Sequence, residues 1–85
     1  MKILITGGAG FIGSSLSEFH IKQGDTVVAV DDLSTGRIEN LSRLMDNKKF
    51  SFVEADVLSW VDLSSAVASA DRIYHLAAIV GMFRV

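Results

Sequence analysis

Lys2-Ile-Leu-Ile-Thr-Gly-Gly-Ala-Gly-Phe-Ile-Gly13 runs three consecutive apolar β-formers into a cluster of glycines and then into the start of a helix. Four glycines, Gly7, Gly8, Gly10 and Gly13, fall within seven positions. Backbone there can take positive φ and lie against a ligand with no Cβ between them. The helix that follows directs its free N–H groups and the positive end of its dipole at whatever covers the glycines. That is a setting for a phosphate or a pyrophosphate.

Two spacings are present at once. Gly8-Ala-Gly10-Phe-Ile-Gly13 fits the dinucleotide fingerprint G-x-G-x-x-G, while Gly7, Gly10 and Gly13, preceded by Thr6, fit G-x-x-G-x-x-G. The pattern is weak alone and gains from its context: a strand before it, a helix after it, and an acid about twenty positions on, Asp31. A nucleoside-triphosphate loop needs Gly-Lys-Ser/Thr. Here Ser14 and Ser15 follow Gly13, with no lysine before Lys22, which excludes it. The bland alternative is a strand-to-helix turn without a ligand.

The 85 residues allow one small domain, and a chain of that size buries only about 60–65% of its unfolded surface. Yet 49% of the residues are hydrophobic, 21% are charged and none is proline, the composition of a larger protein's interior. Residues 1–85 are therefore expected to be part of a domain. Eight basic and ten acidic residues, a net charge of −2, argue against a nucleic-acid partner. Without cysteine there is no disulfide, thiolate zinc site or cysteine nucleophile, and two separated histidines make no metal pattern. Glycines break the first apolar run well short of a signal peptide, and no stretch approaches the roughly 20 apolar residues of a membrane span. A soluble, cytoplasmic protein without membrane contact is the expectation.

Ile3, Leu4 and Ile5 read as a parallel strand covered on both faces. A helix is predicted from Phe11 to Gln23, with Ile12, Leu16 and Phe19 on its apolar face and Gly24 as its C-terminal cap. His20 beside that face reads as a structural histidine with no carboxylate close in sequence. Thr26 to Asp31 is a second internal strand that ends in Asp31 and Asp32. Ligands bind beyond the carboxyl ends of such strands, so Asp31 is placed to accept hydrogen bonds from a ribose. Asp32 fits either the ligand or a turn. A carboxylate about 4 Å from a 2′-phosphate costs about 4 kcal/mol at an effective dielectric of 20, which favours NAD over NADP. Arg37 could soften that preference by pairing with the phosphate.

Ile38, Leu41, Leu44 and Met45 predict a short second helix, and Phe50 to Glu54 a third strand. Ser59 with Asp62 fits a capping box for a third helix carrying Leu63, Ala66, Val67 and Ala70 on one face. Asp71 to Ala77 is the fourth strand. Strands alternating with helices predict an α/β fold, the N-terminal part of a doubly wound parallel Rossmann sheet, in strand order 3-2-1-4. It is truncated after strand four, which leaves an open edge and bare apolar surface.

Thr6-Gly-Gly-Ala-Gly-Phe-Ile-Gly13, Asp31-Asp-Leu-Ser-Thr-Gly36, Ala55-Asp-Val57 and His75-Leu-Ala-Ala78 together resemble the extended short-chain dehydrogenase/reductase family, specifically its NAD-dependent nucleotide-sugar epimerases and dehydratases. The resemblance implies that Gly7, Gly10, Phe11, Ile12 and Gly13 hold the pyrophosphate of NAD and Asp31 its adenosine ribose. It places Ser34, Thr35 and Gly36 on the adenosine-phosphate side and Asp56 and Val57 at the adenine, and it counts Asp32 among the cofactor-binding residues. Leu76, Ala77 and Ala78 would lie under the nicotinamide half. Asp32 departs from the family's frequent asparagine, and His20 from an apolar residue.

In the family a Tyr-x-x-x-Lys pair and a Ser or Thr carry the chemistry, with tyrosine as general base and lysine lowering its pKa. Tyr74 is followed four places on by Ala78, so no catalytic residue is assigned, and Tyr74 and His75 both read as structural. The stretch alone is expected to be inactive. The whole enzyme would transfer a hydride from a nucleotide sugar to NAD and back, as a homodimer joined through later helices. Other classes fit the residues too: a non-catalytic NAD(H) sensor or interaction module of the same fold, and a fold that binds S-adenosylmethionine.

Overall fold

A computed structural model describes residues 1–76. Its elements are β1 (Lys2–Thr6), α1 (Phe11–Lys22), β2 (Thr26–Asp31), a 3₁₀ turn (Ile38–Leu41), β3 (Phe50–Glu54), α2 (Leu63–Ser69) and β4 (Arg72–His75). The strands pair in parallel in the order β3-β2-β1-β4, as expected, and Ile5 of β1 lies between Ala29 and Tyr74. The crossovers β1 to β2 and β3 to β4 run in opposite directions across the sheet, so the usual right-handed sense places α1 and α2 on opposite faces. Alternation along β1 agrees: Ile3 and Ile5 join the core with Leu41, Leu44 and Phe50, while Leu4 and Thr6 face α2.

Strand β1 is buried from Ile3 to Thr6, on both faces. Helix α1 departs from expectation. Its buried residues are Gly13, Ser14, Ser17 and His20, while Ile12 and Phe19 are 65% and 55% exposed. The reason is proximity: where the helix starts against the glycine turn, only small residues fit beneath it. Gly24, at φ 87°, follows the helix as the expected left-handed residue.

The segment after β2 is also corrected. Its turns close by three-residue bonds, Asn40 N–H to Arg37, Ser42 to Glu39, Leu44 to Leu41 and Asn47 to Leu44, so no α-helix forms. Leu41 and Leu44, three apart, fall on one face of such turns, a spacing that an α-helix would also accept. Leu41 and Leu44 are buried accordingly, and Met45, the position an α-helix would have turned inward, is exposed.

The capping box does not form either. The Ser59 N–H and hydroxyl both donate to the Asp56 carbonyl, and helix α2 starts only at Leu63, with no side-chain cap. None of its residues is buried, and Val67 is 42% exposed. Between α2 and the sheet lies an apolar cavity of about 270 Å³, bounded by Leu4, Ile73, Val57, Leu58, Leu63 and Val67. With the 42% exposed Ile73 of edge strand β4, this is the bare apolar side expected from the sequence.

His20 does have a carboxylate partner. Asp25 lies five residues on, and the turn through Gly24 folds it back under the helix, where the Nδ1–H of His20 donates to its Oδ2 at 2.8 Å. The Nε2 of His20 meets the Tyr74 hydroxyl at 3.0 Å, which ties α1 to β4 through the core. The amino terminus of Met1 donates to the other Asp25 oxygen at 2.9 Å. First the His20 hydrogen bond and then that ammonium hold the Asp25 carboxyl below its ordinary pKa. A lowered pKa contributes stability that is complete above the unfolded value of about 3.9 and is lost as pH falls through the folded one. Chemical unfolding at several pH values is expected to show stability falling below about pH 4, and the Asp25→Asn variant to show a shallower fall over that range.

Candidate functional site

The four strands end on one side of the sheet, at Thr6, Asp31, Glu54 and His75, and the order reverses between β1 and β4. In parallel sheets that crevice is where ligands bind. The glycine turn fills it. Gly7 takes φ 73°, and its N–H and that of Gly8 both donate to the Val30 carbonyl, at 2.8 and 3.1 Å. Gly7 therefore shapes the turn and ties it to β2, with its own N–H already engaged.

Gly13 and Gly10 serve different ends. A Cβ on Gly13 would stand 2.5 Å from the Gly7 carbonyl oxygen and 2.8 Å from the Gly8 Cα, so glycine is required for α1 to begin here. A Cβ on Gly10 would meet only the Gly7 carbonyl oxygen, at an ordinary 3.4 Å, and φ there is −71°. Neither packing nor backbone conformation demands glycine at that position. As the N-cap, Gly10 also supplies no side-chain acceptor to the first turn, so among the described residues the N–H groups of Phe11, Ile12 and Gly13 have no side-chain cap. Phe11 and Ile12 turn their side chains outward, 82% and 65% exposed, and offer the site their backbone alone.

Asp31 is 9% exposed and touches the turn directly. Its Oδ2 accepts from the Ala9 N–H at 2.9 Å and its Oδ1 from the Leu33 N–H at 2.8 Å. A carboxylate has about four lone-pair sites, so both oxygens keep capacity for further donors. Leu33 is held at φ 63°, a conformation few non-glycine residues adopt, as the chain doubles back over the turn. Gly36 then packs on Ala9 so closely that a Cβ would lie 2.8 Å from Asp31 Oδ2.

The other residues singled out in the sequence sit around this centre. Asp32 is exposed and accepts from the Ser34 N–H at 2.9 Å, the turn alternative, while Ser34 and Thr35 are exposed on the same loop. The Ala55 N–H donates to the Asp31 carbonyl and brings Asp56 and Val57 alongside. Asp56 accepts from the Leu58 N–H at 3.0 Å, and Val57 borders the apolar cavity. Thr6 and His75 join the ends of β1 and β4 through an Oγ1 to Nδ1 contact of 2.6 Å. Leu76, next in chain, is partly buried against the core. Ala77 and Ala78 lie outside the described residues.

Two contributors were missed from sequence. The Ala9 carbonyl accepts from the Arg37 N–H at 3.0 Å and from Asn40 Nδ2 at 2.8 Å, and Asn40 stands in a segment whose apolar spacing suggested only a short helix. The Thr6–His75 contact was invisible because it depends on strand register. Among the described residues no cluster of metal-ligating side chains occurs, and no helix is long and apolar enough to cross a membrane.

A parallel sheet in order 3-2-1-4, a glycine turn capped by a bare helix start and an acid at the tip of β2 define a Rossmann fold of the dinucleotide-binding class. Residues 4–82 match the family model described as GDP-mannose 4,6 dehydratase, and the chain belongs to that family. It is 44% identical to a UDP-glucose 4-epimerase of Mycolicibacterium smegmatis over 86 residues, 99% of this chain and 27% of that protein. It is 43% identical to UDP-glucuronic acid decarboxylase 1 of Arabidopsis thaliana, over 91% of this chain and 17% of that one. Among solved structures, UDP-glucuronic acid 4-epimerase of Bacillus cereus, in complex with UDP-glucuronic acid and NAD, superposes with a TM-score of 0.79 at 39% identity, over 89% of this chain and 26% of that one. The chain thus spans about a quarter of the length of the first of these relatives and of the solved enzyme.

The two glycines give opposite expectations for stability. Gly13→Ala should lower unfolding free energy by about 2–4 kcal/mol, because its neighbours are backbone atoms that must move. Gly10→Ala should change it by less than about 1 kcal/mol. Denaturant unfolding of the two variants beside the parent checks both.

Proposed function

We propose that this stretch is the NAD-binding portion of a nucleotide-sugar epimerase or dehydratase whose catalytic and sugar-binding parts belong to a longer chain. Gly10 carries the reading. It is the one fingerprint glycine that neither packing nor φ requires, and it stands at the N-cap of a helix start that has no side-chain cap. An uncapped helix start beside a glycine that the fold itself does not demand fits a diphosphate bridge.

The N–H groups of Phe11, Ile12 and Gly13 would hold that bridge, and Asp31 would accept from the adenosine ribose. Gly7 shapes the turn beneath. The loop Asp32, Ser34, Thr35 and Gly36 would flank the adenosine phosphate, Asp56 and Val57 would border the adenine, and Leu76 with Ala77 and Ala78 would lie under the nicotinamide half. NAD, when bound, supplies reversible acceptance of a hydride. Support comes from relatives solved with it, among them the Bacillus cereus epimerase and a dTDP-glucose 4,6-dehydratase of Bacillus anthracis. Tyr74 takes no part in the chemistry, since its hydroxyl is engaged by His20 in the core. A nucleotide-sugar substrate, a homodimeric assembly and a cytoplasmic location belong to the same proposal.

Calorimetry should find NAD bound more tightly than NADP, and the 85-residue stretch alone should convert no nucleotide sugar. Asp31→Ala should weaken NAD about tenfold or more, from the loss of charge-assisted hydrogen bonds, and Arg37→Ala less than about threefold. Absence of NAD binding, or a larger loss from Arg37→Ala, would refute the assignment. In the natural gene, the coding sequence beyond Val85 is expected to contain Tyr-x-x-x-Lys.

A further inference from the structure

The peptide between Ala9 and Gly10 is the hinge of the glycine turn, and each of its polar atoms is held. Its N–H, on Gly10, donates to the Gly7 carbonyl at 3.2 Å. Its carbonyl, on Ala9, accepts two bonds, one from the Arg37 backbone and one from Asn40 Nδ2 at 2.8 Å. A carbonyl oxygen can only accept, so the amide orientation of Asn40 is settled by the partner it faces. Asparagine ordinarily bonds to backbone within its own turn. Asn40, an exposed residue of the 3₁₀ turn, reaches back across 31 residues of sequence instead.

Orientation of this peptide decides the sign of the charge that the turn presents. Held as it is, the Ala9 oxygen faces the segment after β2, and the helix start offers N–H groups alone. Rotated, the same oxygen would bring partial negative charge to the opening proposed for the diphosphate. Asn40 is the one side chain among the described residues that bonds the Ala9 oxygen. Asp31 grips the preceding peptide, through the Ala9 N–H. We infer that Asn40 is a positioning residue for diphosphate binding, acting through the Ala9 carbonyl to keep the glycine turn in its anion-accepting orientation. The inference rests on the NAD-binding reading and adds to it a residue that touches no part of the ligand.

The test separates the diphosphate from the rest of the ligand. Dissociation constants for NAD, ADP and adenosine are measured by NMR titration on the complete natural chain, for the parent protein, Asn40→Ala and Asn40→Leu, the second of which keeps the side-chain volume. Losing this hydrogen bond should weaken NAD and ADP about three- to tenfold. Adenosine, which lacks the bridge and leans on Asp31, should change less than twofold. The Gly10 amide resonance should move in both ligand-free variants, because it reports on hydrogen bonding to the Ala9 carbonyl. Equal losses for all three ligands would show a general structural role and overturn the inference, as would unchanged affinity for NAD and ADP. A parent chain that binds neither NAD nor ADP would instead refute the NAD-binding assignment itself. That result is distinguishable because it appears before any substitution is made.

Discussion

Helix α1 can begin where it does only because no side chain stands between Gly13 and the Gly7 carbonyl, which an added Cβ would approach to 2.5 Å. That contact fixes the path of the turn, the start of the helix and the direction in which its first N–H groups point. The rest of the site is built around it. Val30 takes the first two N–H groups of the turn, Asp31 takes the Ala9 N–H, and the segment from Arg37 to Asn40 holds the Ala9 carbonyl. The donors left over are those at the helix start.

The far end of α1 is secured separately. Small residues line the fully buried face of the helix, Leu16 and Ile21 pack on the core beside them, and the large apolar side chains Ile12 and Phe19 face outward. The bonds from His20 to Asp25 and Tyr74 supply directional contacts that such a face lacks. They link the helix to the loop before β2 and to β4. Thr6 joins the adjacent His75 on the opposite face, so the carboxyl end of β4, which flanks the crevice, is held from both sides of the sheet.

Strands and their order were legible in the chain because parallel strands covered on both faces read as unbroken apolar runs, and glycines and acids mark their carboxyl ends. The turn and Asp31 were legible for the same local reason. Helical faces were not. On α1 the apolar period named Leu16, which does pack on the core, but also Ile12 and Phe19, which face outward where close approach to the turn selected Gly13, Ser14 and Ser17. At Ile38 to Leu44 a spacing of three suited a 3₁₀ turn as well as a helix, and only the long-range bond from Asn40 to Ala9 shows why the chain follows that path. Partners brought together by register or by a doubled-back loop, His20 with Tyr74 and Asn40 with Ala9, leave no periodic trace for a sequence to show.

A nitrogen-15 NMR titration with NAD reads the central claim at single amides. The account predicts that the largest shifts fall on the N–H groups of Phe11, Ile12 and Gly13, while those of Gly7 and Gly8, already donated to Val30, move little. Shifts centred on Gly7 and Gly8, or confined to residues far from the turn, would contradict it.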